Sequence, residues 1–266
     1  MRTQLRSSWT RFFGAVIAMG AVSALGAPTV VGAQQFRTIA SLSAENYFDG
    51  SFALHAENVL IMPLPPESLQ FQFKARNQTD NFFDSTRSLT MVHAGPIILF
   101  TPNVYGIAAY GIGLRDTGEL VHEGDLQIHY EDVRFRVGGG ARGRYEPDDD
   151  IAYIIPSIGG RLQLPRGFGI AATYYLGLNN KGELSNAIWT EGDYSLTSRV
   201  SLKLGGSMEI GDDIAWPDGS NYSYAVISGV GYAARETLFL RYELHYIGRA
   251  ELDDGIRNFL FVDWRF

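Results

Sequence analysis

Residues 133–145 read Val-Arg-Phe-Arg-Val-Gly-Gly-Gly-Ala-Arg-Gly-Arg-Tyr, which places Arg134, Arg136, Arg142 and Arg144 at even positions around a glycine gap. In an extended chain successive side chains point to opposite faces, so the four guanidinium groups would share one face. The same alternation assigns Lys74, Arg76, Arg161, Gln163, Lys203, Arg241, Arg257 and Arg265 to that face, together with the acids Glu131, Glu209, Glu243 and Asp263. A wall of fixed cations lowers the barrier for negative solutes, which suits anions or carboxylated sugars. Alternatively the arginines pair with neighbouring carboxylates and simply fill the space between strands. Both uses remain open at the level of sequence.

Other chemistry finds little support. A histidine that activates a serine two residues on would be a nucleophile pair, but the five histidines are followed at that distance by Glu57, Gly95, Gly124, Glu131 and Ile247. His122 lies near Glu119, Glu123 and Asp125, yet acid-rich surroundings make such proximity cheap, and it reads as a solvated loop residue. With no cysteine, thiol nucleophiles, thiolate metal sites and disulfides are absent. No phosphate-binding glycine loop or metal-ligand cluster stands out, so neither catalytic residues nor a cofactor is expected. A sequence pI near 5.2 and a net charge of -7 supply no basic patch for nucleic acid.

The elements that must position these side chains are strands. Residues 69–76 (Leu-Gln-Phe-Gln-Phe-Lys-Ala-Arg), 200–210 and 238–246 each alternate apolar with polar residues, and helical spacing is not sustained beyond the first segment. The pattern predicts fourteen extended segments: 36–46, 51–62, 68–77, 86–100, 104–115, 120–130, 133–145, 152–164, 168–178, 184–195, 199–210, 222–233, 237–248 and 256–266. The first two are weakest, so twelve strands are the alternative. Short connections at 63–67, 101–103, 131–132, 165–167, 196–198 and 235–236 alternate with longer ones at 78–85, 116–119, 146–151, 179–183, 211–221 and 249–255. Several of the longer ones are acidic, including Asp148 to Asp150, Asp212, Asp213, Asp218, Glu251, Asp253 and Asp254. Such loops can meet divalent cations, though a solvated charge run is the simpler reading.

Residues 1–33 carry Arg2, Arg6 and Arg11 and no acid, followed by a weakly apolar, Ala- and Gly-rich run that ends Val31-Gly32-Ala33. This predicts a cleaved secretory signal peptide, leaving 34–266 as a single domain. Its removal leaves 22 - 3 = 19 basic residues against 29 acidic ones, a charge of -10. No later stretch is apolar for 18 residues, so no membrane helix is expected. Strands of ten to twelve residues exceed the five or six usual in a secreted β-sandwich and match a tilted crossing of a bilayer's apolar band. Tyr47, Phe48, Phe82, Phe83, Tyr130, Tyr145, Tyr194, Trp216, Tyr222 and Trp264 lie near segment ends, as interfacial aromatic girdles would.

The last nine residues, Asn-Phe-Leu-Phe-Val-Asp-Trp-Arg-Phe, close on Phe266 with Trp264, Val262 and Leu260 on the same face. Here the chain resembles Gram-negative outer-membrane β-barrel proteins of the porin-like class, whose last strand ends in an aromatic residue after alternating apolar ones. The resemblance implies a transmembrane antiparallel up-and-down barrel of twelve to fourteen strands in the bacterial outer membrane. It also implies recognition of Leu260, Val262, Trp264 and Phe266 by the barrel-assembly machinery. Lipid and lipopolysaccharide would surround such a barrel, and small solutes would pass through it. A non-conducting surface barrel is the alternative function, and a barrel lipid hydrolase or protease is a third. Mean hydropathy of -0.05 suggests a soluble globule only because an apolar face and a charged face cancel in the average.

Overall fold

The computed structural model describes residues 36–82, 85–147, 150–211, 224–249 and 252–266. The segment predicted to be a signal peptide, together with Phe83, Trp216, Tyr222 and most of the acidic loop residues, lies outside them. Fourteen strands follow one another along the chain: β1 (Arg37–Tyr47), β2 (Phe52–Leu64), β3 (Leu69–Phe82), β4 (Ser85–Thr101), β5 (Val104–Arg115), β6 (Leu120–Glu131) and β7 (Phe135–Glu146), then β8 (Ile151–Gln163), β9 (Phe168–Asn179), β10 (Leu184–Ser195), β11 (Val200–Gly211), β12 (Tyr224–Arg235), β13 (Leu238–Arg249) and β14 (Leu252–Arg265). Each pairs antiparallel with its neighbours in sequence, and β1 pairs with β14, so the sheet closes. Closure leaves no edge strand, which satisfies the backbone groups that a lipid environment cannot.

The two segments weakest in sequence are full members of the barrel. β1 runs in register with β14 from Arg37 opposite Arg265 to Tyr47 opposite Gly255. Their seam is fastened by a two-pronged ion pair from Arg37 to Asp263, at 2.9 and 2.7 Å. Beyond it Phe36 and Phe266 exchange backbone hydrogen bonds and stack their rings 6.1 Å apart. Neither signal is visible in the local alternation of 36–46, because both partners lie more than 200 residues away.

Connections differ from the sequence reading at the end where long loops were expected. β3 and β4 continue to Phe82 and from Ser85, taking up most of 78–85, and β14 begins at Leu252. Past the apolar band both faces of a hairpin are wet, and polar side chains extend the ladder there. Asn77 donates to Thr90 at 2.8 Å and Asn81 to Thr86 at 2.9 Å. Among the described residues no connection exceeds four residues. In the turn after β5, Gly118 takes φ +90° while its N–H bonds Arg115, a conformation that favours glycine.

One parity of every strand faces outward and is apolar: Leu126 and Ile128 on β6, Ile158 on β8, Leu204 and Ile210 on β11 and Val226 on β12 are all exposed. Contiguous exposure on this scale marks a surface that meets lipid. Tyr130, Tyr145 and Trp264 share that face near strand ends, as girdle residues should. Tyr47 does not. It points inward, donates to Glu45 at 2.8 Å and packs with Ala225 and Ile247, because the parity of β1 sets its direction and its aromatic type does not.

Candidate functional site in the barrel interior

The inward face is fixed by contacts that skip strands. Arg76 on β3 reaches Glu123 on β6 at 3.0 Å, passing over β4 and β5. Arg115 on β5 bonds Glu146 on β7, and Arg161 on β8 bonds Asp193 on β10. Lys203 on β11 approaches Glu243 on β13 at 3.0 Å. Side chains on strands that are not neighbours can meet in this way only across the inside of a closed sheet.

On that face cations and carboxylates interleave. Arg142 lies 3.7 Å from both Glu123 and Asp125, Arg144 2.8 Å from Glu146, and Lys74 3.4 Å from Glu57. Arg241 sits 2.8 Å from Glu243 and stacks its guanidinium 4.5 Å over the ring of Phe261. Glu209 accepts from the Ser185 hydroxyl. Arg134 stands apart from this face: it lies in the turn between β6 and β7, where the backbone of Asp132 bonds the carbonyl of Phe135 and the Asp132 carboxylate accepts from Val133. Three of the four arginines of 133–145 therefore belong to strand β7.

Two features escape the local pattern. The first is a set of buried Glu–His pairs: His93 to Glu123 at 2.9 Å, His245 to Glu243 at 2.8 Å, and His55 to Glu45 at 3.4 Å. Glu123 and Glu243 are each about 2% exposed and accept from a histidine and flanking cations, so each is the hub of a charged cluster. Shared parity of Glu243 with His245 was a usable signal; the meeting of His93 with Glu123, on β4 and β6, had none. Room for the His93 ring comes from Gly111, where a Cβ would fall 2.2 Å from the imidazole. The second is His122, which is not a loop residue. It stands on the outer face of β6 and shares a 2.7 Å hydrogen bond with the Tyr110 hydroxyl, because alternation continues through it.

The interior is not uniformly filled. A cavity of about 450 Å³ lies against the inner wall of β6 to β10. Across β7, β8 and β9 that wall is built of small residues: Gly138, Gly159 and Thr173 form one cross-strand row, with Gly140 and Ser157 in the next. Below the glycines, toward the end that carries the chain termini, Arg136 and Arg161 stand directly opposite one another. The geometry supplies a water-accessible recess with polar walls in an otherwise ion-paired interior.

The C-terminal residues lie on the outer surface. Leu260, Trp264 and Phe266 are exposed there and Val262 shares their parity, so this strand presents its apolar side outward along its whole length.

No protein-family model matches the chain, and no curated protein matches it in sequence. Solved structures do. The monoaromatic hydrocarbon channel CymD aligns with a TM-score of 0.62 at 9% identity, over 87% of this chain and 88% of its own. The Pseudomonas putida toluene transporter TodX aligns with a TM-score of 0.56 at 11% identity, over 90% and 91%. A protein described as a bacterial polysaccharide outer membrane secretin aligns at 0.53 and 11%, over 88% and 98%. At these identities what is shared is the fold. The closed fourteen-strand sheet, its apolar outer face and its charged inner face give this chain a porin-like transmembrane β-barrel fold, the fold of the outer-membrane channels it is similar to.

Proposed function

We propose that the protein is a passive diffusion channel for small solutes across the bacterial outer membrane, with a preference for anions. The observation that carries this reading is the recess of about 450 Å³ inside a barrel of fourteen strands. Eight strands leave space only for side chains, whereas fourteen leave more. Among the described residues no connection is long enough to fold inward as a plug. CymD and TodX, barrels of similar fold, are described as channel and transporter, which supports a transport role. The anion preference rests on the basic side chains of the inner wall, among them Arg136, which is exposed to water between Glu131 on β6 and Arg161 on β8. Lipid and lipopolysaccharide surround the outer face on this reading, and Leu260, Val262, Trp264 and Phe266 present the strand that the assembly machinery reads.

The test is single-channel recording of the refolded protein in a planar bilayer. Discrete conductance is expected, with a reversal potential on the anion side in a salt gradient. Silence under conditions in which a control porin opens overturns the channel, and a cation-side potential overturns the preference. Replacing Arg136, Arg142 and Arg144 by Ser is expected to move the potential toward cations. A non-conducting barrel is the second reading, favoured by the Glu123 and Glu243 clusters, which fill much of the interior with paired charge.

A further inference from the structure

Apolar side chains inside the barrel fall into two groups. In the looped half they cover one another: Met91 packs with Leu89 and Val121, Ile247 packs with Tyr47 and Ala225, and all six are buried. In the half that carries the chain termini they do not. Ile39 on β1, Val59 and Ile61 on β2, Ile97 and Leu99 on β4 and Ile107 on β5 have the inward parity of Lys74 and His93. Val59 stands opposite both Lys74 and Ile39, and Ile97 opposite Ile107. Only Ile97 is buried, and the other five keep part of their surface open. Each of the six lies within five residues of the terminus end of its strand.

The wall across the lumen has the opposite character. In a ring of fourteen strands β1 and β2 stand across from β8 and β9, and β4 and β5 across from β11 and β12. Over the same depth, the inner positions of β6 to β12 hold no apolar side chain larger than alanine among the described residues. They present guanidinium donors on Arg136 and Arg161 and carboxylate acceptors on Glu131 and Glu191. The recess of about 450 Å³ lies on this side. An aliphatic wall that meets neither lipid nor a core leaves apolar surface in water, at a cost of about 25 cal/mol per Å². A molecule with one apolar side removes that cost. If its other side is polar, its hydrogen bonds are kept toward water and the facing wall.

We propose that the terminus half of the lumen binds a small amphipathic alcohol, with its aliphatic body against Ile39, Ile61, Leu99 and Ile107 and its hydroxyl turned toward the wall of β7 to β10. A hydroxyl both donates and accepts, which matches a wall that presents both kinds of group. The site goes beyond the channel reading, and binding does not require conduction.

NMR of the refolded full chain in lipid nanodiscs, isotope-labelled at the isoleucine methyls, tests the site with cyclohexanol, cyclohexanecarboxylate and myo-inositol as probes. The last carries a hydroxyl on every ring carbon and so has no apolar side. Cyclohexanol is expected to shift the inward methyls of Ile39, Ile61 and Ile107 saturably, and to bind about tenfold more tightly than myo-inositol. The outward methyls of Ile112, Ile128 and Ile158, which are exposed on the lipid face, report partition into lipid and should shift without saturation. Ile61→Ser should weaken cyclohexanol about fivefold. Inward methyls that no probe shifts, or that shift only as the outward ones do, overturn the site. Equal binding of myo-inositol overturns the apolar contact, as does an Ile61→Ser variant of unchanged affinity. Tighter binding of cyclohexanecarboxylate overturns the uncharged head. If Ile61→Ser does not fold, Leu99→Ser and the three-probe series on the parent chain still decide. A conducting barrel that binds no cyclohexanol removes this site and spares the channel, whereas a silent barrel that binds it removes the channel and spares the site.

Discussion

At the scale of single residues, the interior is organised around carboxylates more than around the arginines that dominate the sequence. Glu123 is almost fully buried and gathers Arg76 at 3.0 Å, His93 at 2.9 Å and Arg142 at 3.7 Å from three different strands. Removing it takes a buried counter-charge from Arg76 and leaves Arg142 with Asp125, and breaking a buried pair from one side costs about 3–5 kcal/mol. Glu123→Ala is therefore expected to lower the stability of the refolded barrel by about that amount in denaturant unfolding from lipid vesicles. Glu123→Gln, which retains hydrogen bonding without charge, should cost less. A Glu123→Ala barrel as stable as the parent would mean that water already screens the cluster.

At the scale of elements, the seam between β1 and β14 decides whether fourteen strands close the sheet. Ala44 lies directly opposite Asn258 on the outer face of that seam. Cα separations across an antiparallel pair fall within disulfide range, and the natural chain contains no cysteine to interfere. Ala44→Cys with Asn258→Cys should cross-link on oxidation and hold the closed form on a denaturing gel. Ala44→Cys with Phe259→Cys, where the second residue points inward, should not. Cross-linking in the second pair and not the first would place β1 in another register or outside the barrel. The alternation that makes β11 or β13 legible in the sequence works because one side of those strands meets lipid and the other meets charge. It also places Arg142, Arg144, Lys203 and Glu243 on the inner face. What it cannot give is partnership across the lumen. His93 with Glu123, or Arg161 with Asp193, depend on closure and strand tilt, which no local pattern encodes. Nor does it give the ends of β3 and β4, since alternation fades where both faces are wet.

For the molecule as a whole, the interior divides into a buried, ion-paired part that holds the wall and a water-exposed part beside the recess. Arg144 lies 2.8 Å from Glu146, and Glu146 also bonds Arg115, so Glu146 links the two arginines. Arg136 is exposed to water, with Glu131 opposite it on β6, Arg161 opposite it on β8 and the Tyr105 hydroxyl hydrogen-bonded to it. Each replacement by serine removes one positive charge, so charge counting alone predicts equal effects. The structure predicts unequal ones. Arg136→Ser should leave stability within about 0.5 kcal/mol while moving the reversal potential toward cations, because an exposed side chain contributes little to folding and its removal also relieves Arg161 of a like charge directly opposite. Arg144→Ser should lower the unfolding midpoint, since it strips a partner from a buried carboxylate, and should shift selectivity less because Glu146 still pairs with Arg115. Measuring both properties on both variants separates the two roles. A selectivity shift confined to Arg144→Ser would place the solute path along β5 and β7 at the looped end of the barrel, away from the small-residue wall of β7 to β9.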